Sequence, residues 1–189
     1  MKTQIITSLK IAFITLILFG LLYPLLISAI ASIIAPNAGR GEEVSMNGKV
    51  VGFELIGQKF DDDRYFNGRP SAVDYNAAST GGSNKGPGNP EYLALVQSRI
   101  DTLLAHNPSI KKEAIPSDLV TASGGGLDPH ISIAAATLQV ERIAKIRNIK
   151  PEVLTQLIRK NTEGPWLGMF GTSKVHVLHL NIALDQIKQ

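Results

Sequence analysis

Residues 11–35 read IAFITLILFGLLYPLLISAIASIIA, a run with no charged side chain and only scattered Ser, Thr, Gly, Tyr and Pro. As a helix it covers about 37 Å at 1.5 Å per residue, more than a hydrocarbon core of about 30 Å. A helix satisfies its own backbone hydrogen bonds, which makes it the expected form in lipid. Pro24, near the middle, withholds one donor and predicts a kink. Gly20, Ser28, Ala29 and Ala31 are small enough for a partner helix to approach closely, and the same packing would support Pro24.

A cleaved signal peptide competes with this reading, since Lys2 and Lys10 precede the run and Ala29-Ile30-Ala31 imitates a cleavage site. The apolar run is longer than a signal core of about 7–15 residues, which favours a retained anchor. Lys2 and Lys10 lie on one side, and Arg40 with Glu42 and Glu43 on the other. The positive-inside bias therefore puts residues 1–10 in the cytoplasm and residues 36–189 outside it, tethered to the cell (inner or plasma) membrane by a single pass.

All 16 acidic residues lie beyond Arg40, and of the 19 basic ones only Lys2 and Lys10 lie before it. The outer part is thus nearly neutral despite the formal net charge of +3. Nucleic acid, which demands clustered Lys and Arg, is excluded as a partner class. With Cys 0, there is no disulfide framework, thiolate nucleophile or Cys-ligated metal.

Residues 36–189 read as one α+β domain. VVGFELIG (50–57) has the β-branched and aromatic character of a strand. A Gly- and Pro-rich loop follows over 61–90, longer than compact domains usually tolerate. Asn89 and Pro90 suit the cap and first position of a helix running to about 105, with Leu93, Val96, Ile100 and Leu103 on its inner face. Leu119, Val120 and Thr121 suggest a short buried strand. A second helix is expected over 132–147, with Ile133, Ala136, Val140 and Ile143 inward and Glu141, Arg142, Lys145 and Arg147 mostly outward. Pro151 opens a third, striped by Val153, Leu154, Leu157 and Ile158. VHVLHL (175–180) reads as a strand, with Asn181 capping a last helix to about Lys188.

Catalysis is not visible. GGSNKGPG (81–88) fails as a P-loop, because Lys85 precedes Gly86 and Pro87 lacks an amide donor. Ser123 to Gly126 could expose amides to an anion ahead of a helix, or could be a tight buried connection. His176 and His179 differ by three, so on a strand they face opposite sides; together with the missing Cys this argues against a metal site. Asp61-Asp62-Asp63 reads as a solvated turn. There is no Gly-x-Ser-x-Gly elbow and no Asp-Lys-Thr-Gly phosphorylation motif. No catalytic residue and no tightly bound cofactor are expected.

Several ordered motifs carry a resemblance. RYFNGRPSA (64–72) is similar to a Tyr-Phe-x-Gly-Arg-Pro-Ser signature, and Gly82-Ser83-Asn84 with Asn89-Pro90-Glu91 to a Ser-Asn…Asn-Pro stretch. VTASGGGLDPHIS (120–132), then Ala134 to Ala136, Gln139 and Arg142, resembles the most distinctive block of the same family, and LNIALD (180–185) its ending. The family is the small C subunit of the bacterial high-affinity potassium-transporting ATPase, the Kdp complex. Ile133 departs from it, where Pro is usual.

The resemblance implies an accessory subunit of an ATP-driven potassium pump. Its partners would be the potassium-translocating subunit and the P-type catalytic subunit, and it would stabilise their assembly and raise the catalytic subunit's affinity for ATP. ATP would be met, if at all, through that subunit. The motifs nominate Tyr65, Phe66, Gly68, Arg69, Pro70 and Ser71, and Ser123, Gly124, Gly125, Gly126, Leu127, Asp128 and His130, as functional positions. Because the charge bias puts the domain on the side away from ATP, the effect would require coupling through the membrane. The alternatives are a free-standing membrane-anchored, extracytoplasmic small-anion-binding domain using the Gly124–Gly126 loop, and a tethered hydrolase.

Overall fold

The computed structural model describes residues 2–187. The chain divides into two compact units, 1–44 and 45–189.

The first unit is one long apolar helix, α1 (Lys2–Ile34), which begins well before residue 11 and ends one residue before 35. None of its apolar stretch is buried. The discontinuity expected at Pro24 takes the form of a π-helical turn, Leu18–Leu22, directly ahead of it, in which the Tyr23 N–H donates to the Leu18 carbonyl. A prolyl ring collides with the carbonyl four residues back and supplies no N–H, and a wider turn relieves both. Ala35 is extended and ends the helix, and a 3-10 turn, Pro36–Gly39, follows.

A hairpin follows, β1 (Glu43–Met46) and β2 (Lys49–Phe53). Strand β1 lies outside the strand expected over 50–57. Asn47 and Gly48 sit at φ +52° and +75°, the pair of left-handed residues that a two-residue hairpin turn requires. The strand expected over 50–57 stops at Phe53, where a tight turn bridges Phe53 to Ile56.

From Glu54 to Asn89 the chain has no regular element, as the Gly and Pro content predicts for 61–89. Helix α2 (Pro90–His106) then starts as expected, with the Asn89 side chain accepting from the Tyr92 N–H. Its apolar face is less covered than expected. No α2 residue is fully buried, and Leu93 is exposed.

Three expectations differ from the structure. Leu119 and Val120 are buried but form no strand, because the N–H groups of Leu119, Val120 and Thr121 close a 3-10 turn onto Pro116 and Ser117. The helix expected over 132–147 is two, α3 (Ile133–Leu138) and α4 (Val140–Arg147), meeting at Gln139. Its Ala136, Val140 and Ile143 are buried, whereas Ile133 is exposed and Arg142 lies inside. The apolar run at 175–180 is a strand only at its start. There β5 (Lys174–His176) gives way at once to helix α6 (Val177–Asp185). Val177, Leu180, Asn181 and Leu184 are all buried, a helical spacing that a short apolar run leaves ambiguous. His176, not Asn181, stands at the cap. Lys188, the expected helix end, lies outside the described residues.

Helix α5 (Pro151–Lys160) buries Leu154 and Ile158, while Val153 is exposed. A small antiparallel sheet runs in the order β3 (His130–Ile131), β5, β4 (Thr162–Glu163), with His130 opposite His176 and Thr162 opposite Val175. Ile131, Ala136, Ile143, Leu154, Val175 and Leu180 meet in one core, and Phe66 from the long loop is sealed into it. The β4–β5 connection ends in an apolar knob, with Trp166, Leu167, Met169 and Phe170 all exposed.

Candidate functional site

The two sequence motifs, far apart in the chain, meet on the face of the core formed by α3, α4 and α6. Residues 64–71 cross this face without a partner strand, so their backbone groups need other partners. Side-chain amides supply them. Asn181 accepts from the Phe66 N–H at 2.9 Å and donates to the Phe66 carbonyl at 3.0 Å. Gln139 does the same for Asn67, accepting at 2.8 Å and donating at 3.2 Å. Phe66, wholly buried, is the apolar anchor of this strap.

Arg142 lies beneath the strap with its side chain 3% exposed. Its guanidinium donates to the Tyr65 carbonyl at 3.0 Å, to Asn67 Oδ1 at 2.9 Å, to Gln139 Oε1 at 2.8 Å, to Asn107 Oδ1 at 3.0 Å and to the Asp63 carbonyl. Burial pulls its pKa down, and the carboxylates of Asp63 and Asp62 oppose that. Farther along α4, Arg147 donates to the Arg64 carbonyl, pairs with Asp185 at 2.6 Å and lies over the Tyr65 ring at 4.6 Å. Tyr65 donates its hydroxyl to the same Asp185 at 2.9 Å.

The second motif closes on the other end of the strap. Arg69 Nη1 reaches Asp128 Oδ2 at 3.1 Å, and Asp128 Oδ1 accepts from the His130 N–H at 3.0 Å. Burial alone would raise the Asp128 carboxyl. The His130 ring and N–H, with the Arg69 guanidinium, outweigh it and bring the pKa from 3.8 down to about 2. A depressed carboxyl stabilises the fold fully above its unfolded pKa and loses that contribution as pH falls through the folded one. The wild-type chain is therefore expected to exceed Asp128→Asn in stability by about 1–2 kcal/mol at neutral pH, allowing for partial exposure. That advantage shrinks between about pH 4 and pH 2, as thermal unfolding of both chains across this range would show.

The glycine loop does not lead directly into a helix. Ser123 N–H donates to the Pro70 carbonyl and Gly126 N–H to the Ser123 carbonyl, while the Gly125 carbonyl accepts from Gly81 N–H and from Thr80 Oγ1. The next helix begins only at Ile133, and Ser132 and Asp118 occupy its N-terminus. Ser123 and Gly126 are buried while Gly124 and Gly125 are exposed, so the loop is held at its two ends. Ser71 Oγ accepts from the N–H groups of Val73 and Tyr75, and Tyr75 donates its hydroxyl to the Arg69 carbonyl. Gly68 sits against that Tyr75 hydroxyl. Leu127 accepts from the Gly57 N–H at 2.7 Å.

A cavity of about 530 Å³ opens beside the strap, between Lys59, Asp63, Arg69, Tyr75, Arg99 and His106. Both signs of charge line it, and Arg69 Nε in its wall has no hydrogen-bond partner.

Sequence reasoning brought Tyr65, Phe66, Arg69, Ser123, Gly126 and Asp128 to notice but missed what they bind. Gln139 and Arg142 follow Ala135 at four and seven residues, on the helix face that is buried, and that spacing was the available signal.

Residues 5–186 match the family described as KdpC: K+-transporting ATPase, c chain. The chain belongs to the KdpC family. Similar proteins within it include the "Potassium-transporting ATPase KdpC subunit" of Flavobacterium psychrophilum, 54% identical over 185 residues, which are 98% of this chain and 99% of that one. The KdpC subunit of Caldanaerobacter subterraneus subsp. tengcongensis is 46% identical over 190 residues, 100% and 98% of the two chains. That of Polaromonas naphthalenivorans is 47% identical over 191 residues, 100% and 97%. The resemblance carried by the motifs is thus confirmed along the whole KdpC chain. Ile133, the departure noted above, occupies the first position of α3 and points to solvent, a place a Pro fits equally well.

Proposed function

We propose that this chain is a non-catalytic subunit of a potassium-transporting P-type ATPase. In this reading α1 is retained in the cell membrane, its N-terminus cytoplasmic and the α+β domain outside. The chain holds the potassium-translocating and catalytic subunits together and raises the catalytic subunit's affinity for ATP by coupling through the membrane. It binds no cofactor tightly itself.

The observation that carries the reading is where the motif residues spend their bonding capacity. Phe66, Ser123 and Gly126 are buried, the Arg69 and Asp128 side chains pair with each other, Ser71 Oγ accepts from backbone N–H groups, and the Tyr65 hydroxyl bonds to Asp185. Such a motif specifies a shape rather than a reaction. Two surfaces are consistent with assembly. Helix α1 has an unburied apolar side all round, with small residues at Gly20, Ser28, Ala29 and Ala31 for close helix packing. The knob from Trp166 to Phe170 exposes large apolar side chains of the kind a partner subunit covers.

Co-purification tests the assignment. The full chain, extracted in mild detergent, is expected to bring down the pump's other subunits in stoichiometric amounts, while a chain lacking residues 2–34 is expected to lose them. Retention by the truncated chain would refute the anchoring role, and a full-length chain recovered alone would refute the subunit assignment. ATPase activity of the complex against ATP concentration, with and without this subunit, tests the affinity effect. Protease added outside intact cells tests the orientation, since protection of the domain would reverse it.

A further inference from the structure

His176 and His179 are three apart, a spacing that separates them on a strand and joins them on a helix. The switch from β5 to α6 at Val177 puts His176 at the cap and His179 in the first turn, with ring centroids 4.5 Å apart. The turn after β2 brings Glu54 to the same place. Its Oε2 lies 2.6 Å from His179 Nε2, and its backbone carbonyl lies 2.6 Å from His176 Nε2. One donor atom from each of the three side chains falls within 4.8 Å of the others.

We propose that Glu54, His176 and His179 form a binding site for a divalent transition-metal ion of the zinc class. Two imidazoles and one carboxylate make the three-ligand set that Zn2+ accepts with a position left open to water, and the absence of cysteine disfavours softer ions. The Glu54 carbonyl accepts the Nε2 proton of His176, which leaves Nδ1 as that ring's ligand atom and fixes its orientation. Ligands around such an ion sit about 3.3–3.5 Å apart, given bond lengths of about 2.0–2.1 Å, so the arrangement must adjust: the 2.6 Å Glu54–His179 pair opens to that spacing, while the wider separations, all within 4.8 Å, close to it. It is built to do so. His176 is buried and fixed by its sheet partner His130, whose ring meets it edge-on at 5.1 Å. Glu54 and His179 are 30% and 43% exposed and can turn inward.

A simple ion pair accounts for less of this geometry. Glu54 with one protonated His179 would satisfy itself and contribute about 1 kcal/mol or less at such exposure. It leaves His176 Nδ1, 3.4 Å from the His179 N–H and so beyond the usual range for a firm cap bond, without a strong partner, while Nε2 of the same ring donates to the Glu54 carbonyl. A metal uses both rings. His130 stays outside the site, because Asp128 and Glu163 lie against its two nitrogens at 3.4 and 3.6 Å.

The test uses the full-length chain without a histidine tag, in detergent and stripped with a chelator, titrated with Co2+ by visible absorption and with Zn2+ by calorimetry. One equivalent of each ion is expected to bind. His179→Ala and Glu54→Gln are each expected to weaken binding by about 100-fold or more, since even supporting partners of metal ligands are worth about 10–100-fold. His106→Ala, which removes an exposed histidine paired with Asp63 elsewhere, leaves binding unchanged. Absence of binding by the wild-type chain would overturn the proposal, as would binding that survives both ligand substitutions.

Discussion

Arg142→Met is expected to cost about 3–5 kcal/mol of stability, the range observed when one partner of a buried charged network is removed. Met has comparable length and leaves little cavity, so the loss comes from polar groups rather than packing. The substitution strips donors from the carbonyls of Asp63 and Tyr65 and from the side-chain oxygens of Asn67, Asn107 and Gln139. Each buried acceptor left bare costs about 1–3 kcal/mol before relaxation. The strap of residues 64–71 has no strand partner, so it would loosen first and take Phe66 out of the core. A fall in thermal midpoint on the order of 10 °C is the readout. Arg142→Lys keeps the charge but not the planar fork of donors, and is expected to recover only a minor part. A Met variant within about 1 kcal/mol of wild type would show that the network is dispensable.

Gly126→Ala is expected to cost about 2–4 kcal/mol, combining a strained backbone with a clash. Gly126 sits at φ +72°, and a Cβ there would lie 2.7 Å from Val73 Cγ2 and 2.9 Å from the Gly81 carbonyl oxygen. The latter is backbone and cannot swing away. Gly124, two residues earlier in the same loop, is the control, because a Cβ there meets nothing within 4 Å. Gly124→Ala is expected to stay within about 0.5 kcal/mol of wild type. Equal effects at the two positions, measured by thermal unfolding, would mean that the loop is not held against the 71–81 segment as described. The pair also separates this packing role from an anion-binding one, in which the exposed Gly124 would be at least as sensitive.

How much of this was legible in the sequence depended on the range of the interaction. The apolar helix, the Asn89 cap before α2, the Pro151 start of α5 and the irregular 61–89 stretch were readable because each follows from nearest neighbours: hydropathy, a capping oxygen, a ring that fixes φ, or glycine and proline in excess. The Asn47-Gly48 hairpin was equally local, and its signal was in the sequence, though only the structure revealed it. The motif resemblance identified the family without saying what any motif residue touches.

What the chain alone settled, then, is its division into a lipid-compatible helix and a nearly neutral α+β domain, since both follow from composition and short-range geometry. Only the tertiary structure decided that VHVLHL turns from strand to helix at Val177, that Arg142 points inward, and that Asn181 and Gln139 serve as partners for a strap more than 70 residues away. These outcomes depend on which distant backbone groups need hydrogen bonds, and a local pattern carries no record of them. The convergence of Glu54 with His176 and His179 has the same origin: three side chains met because a strand ended where the core required a helix.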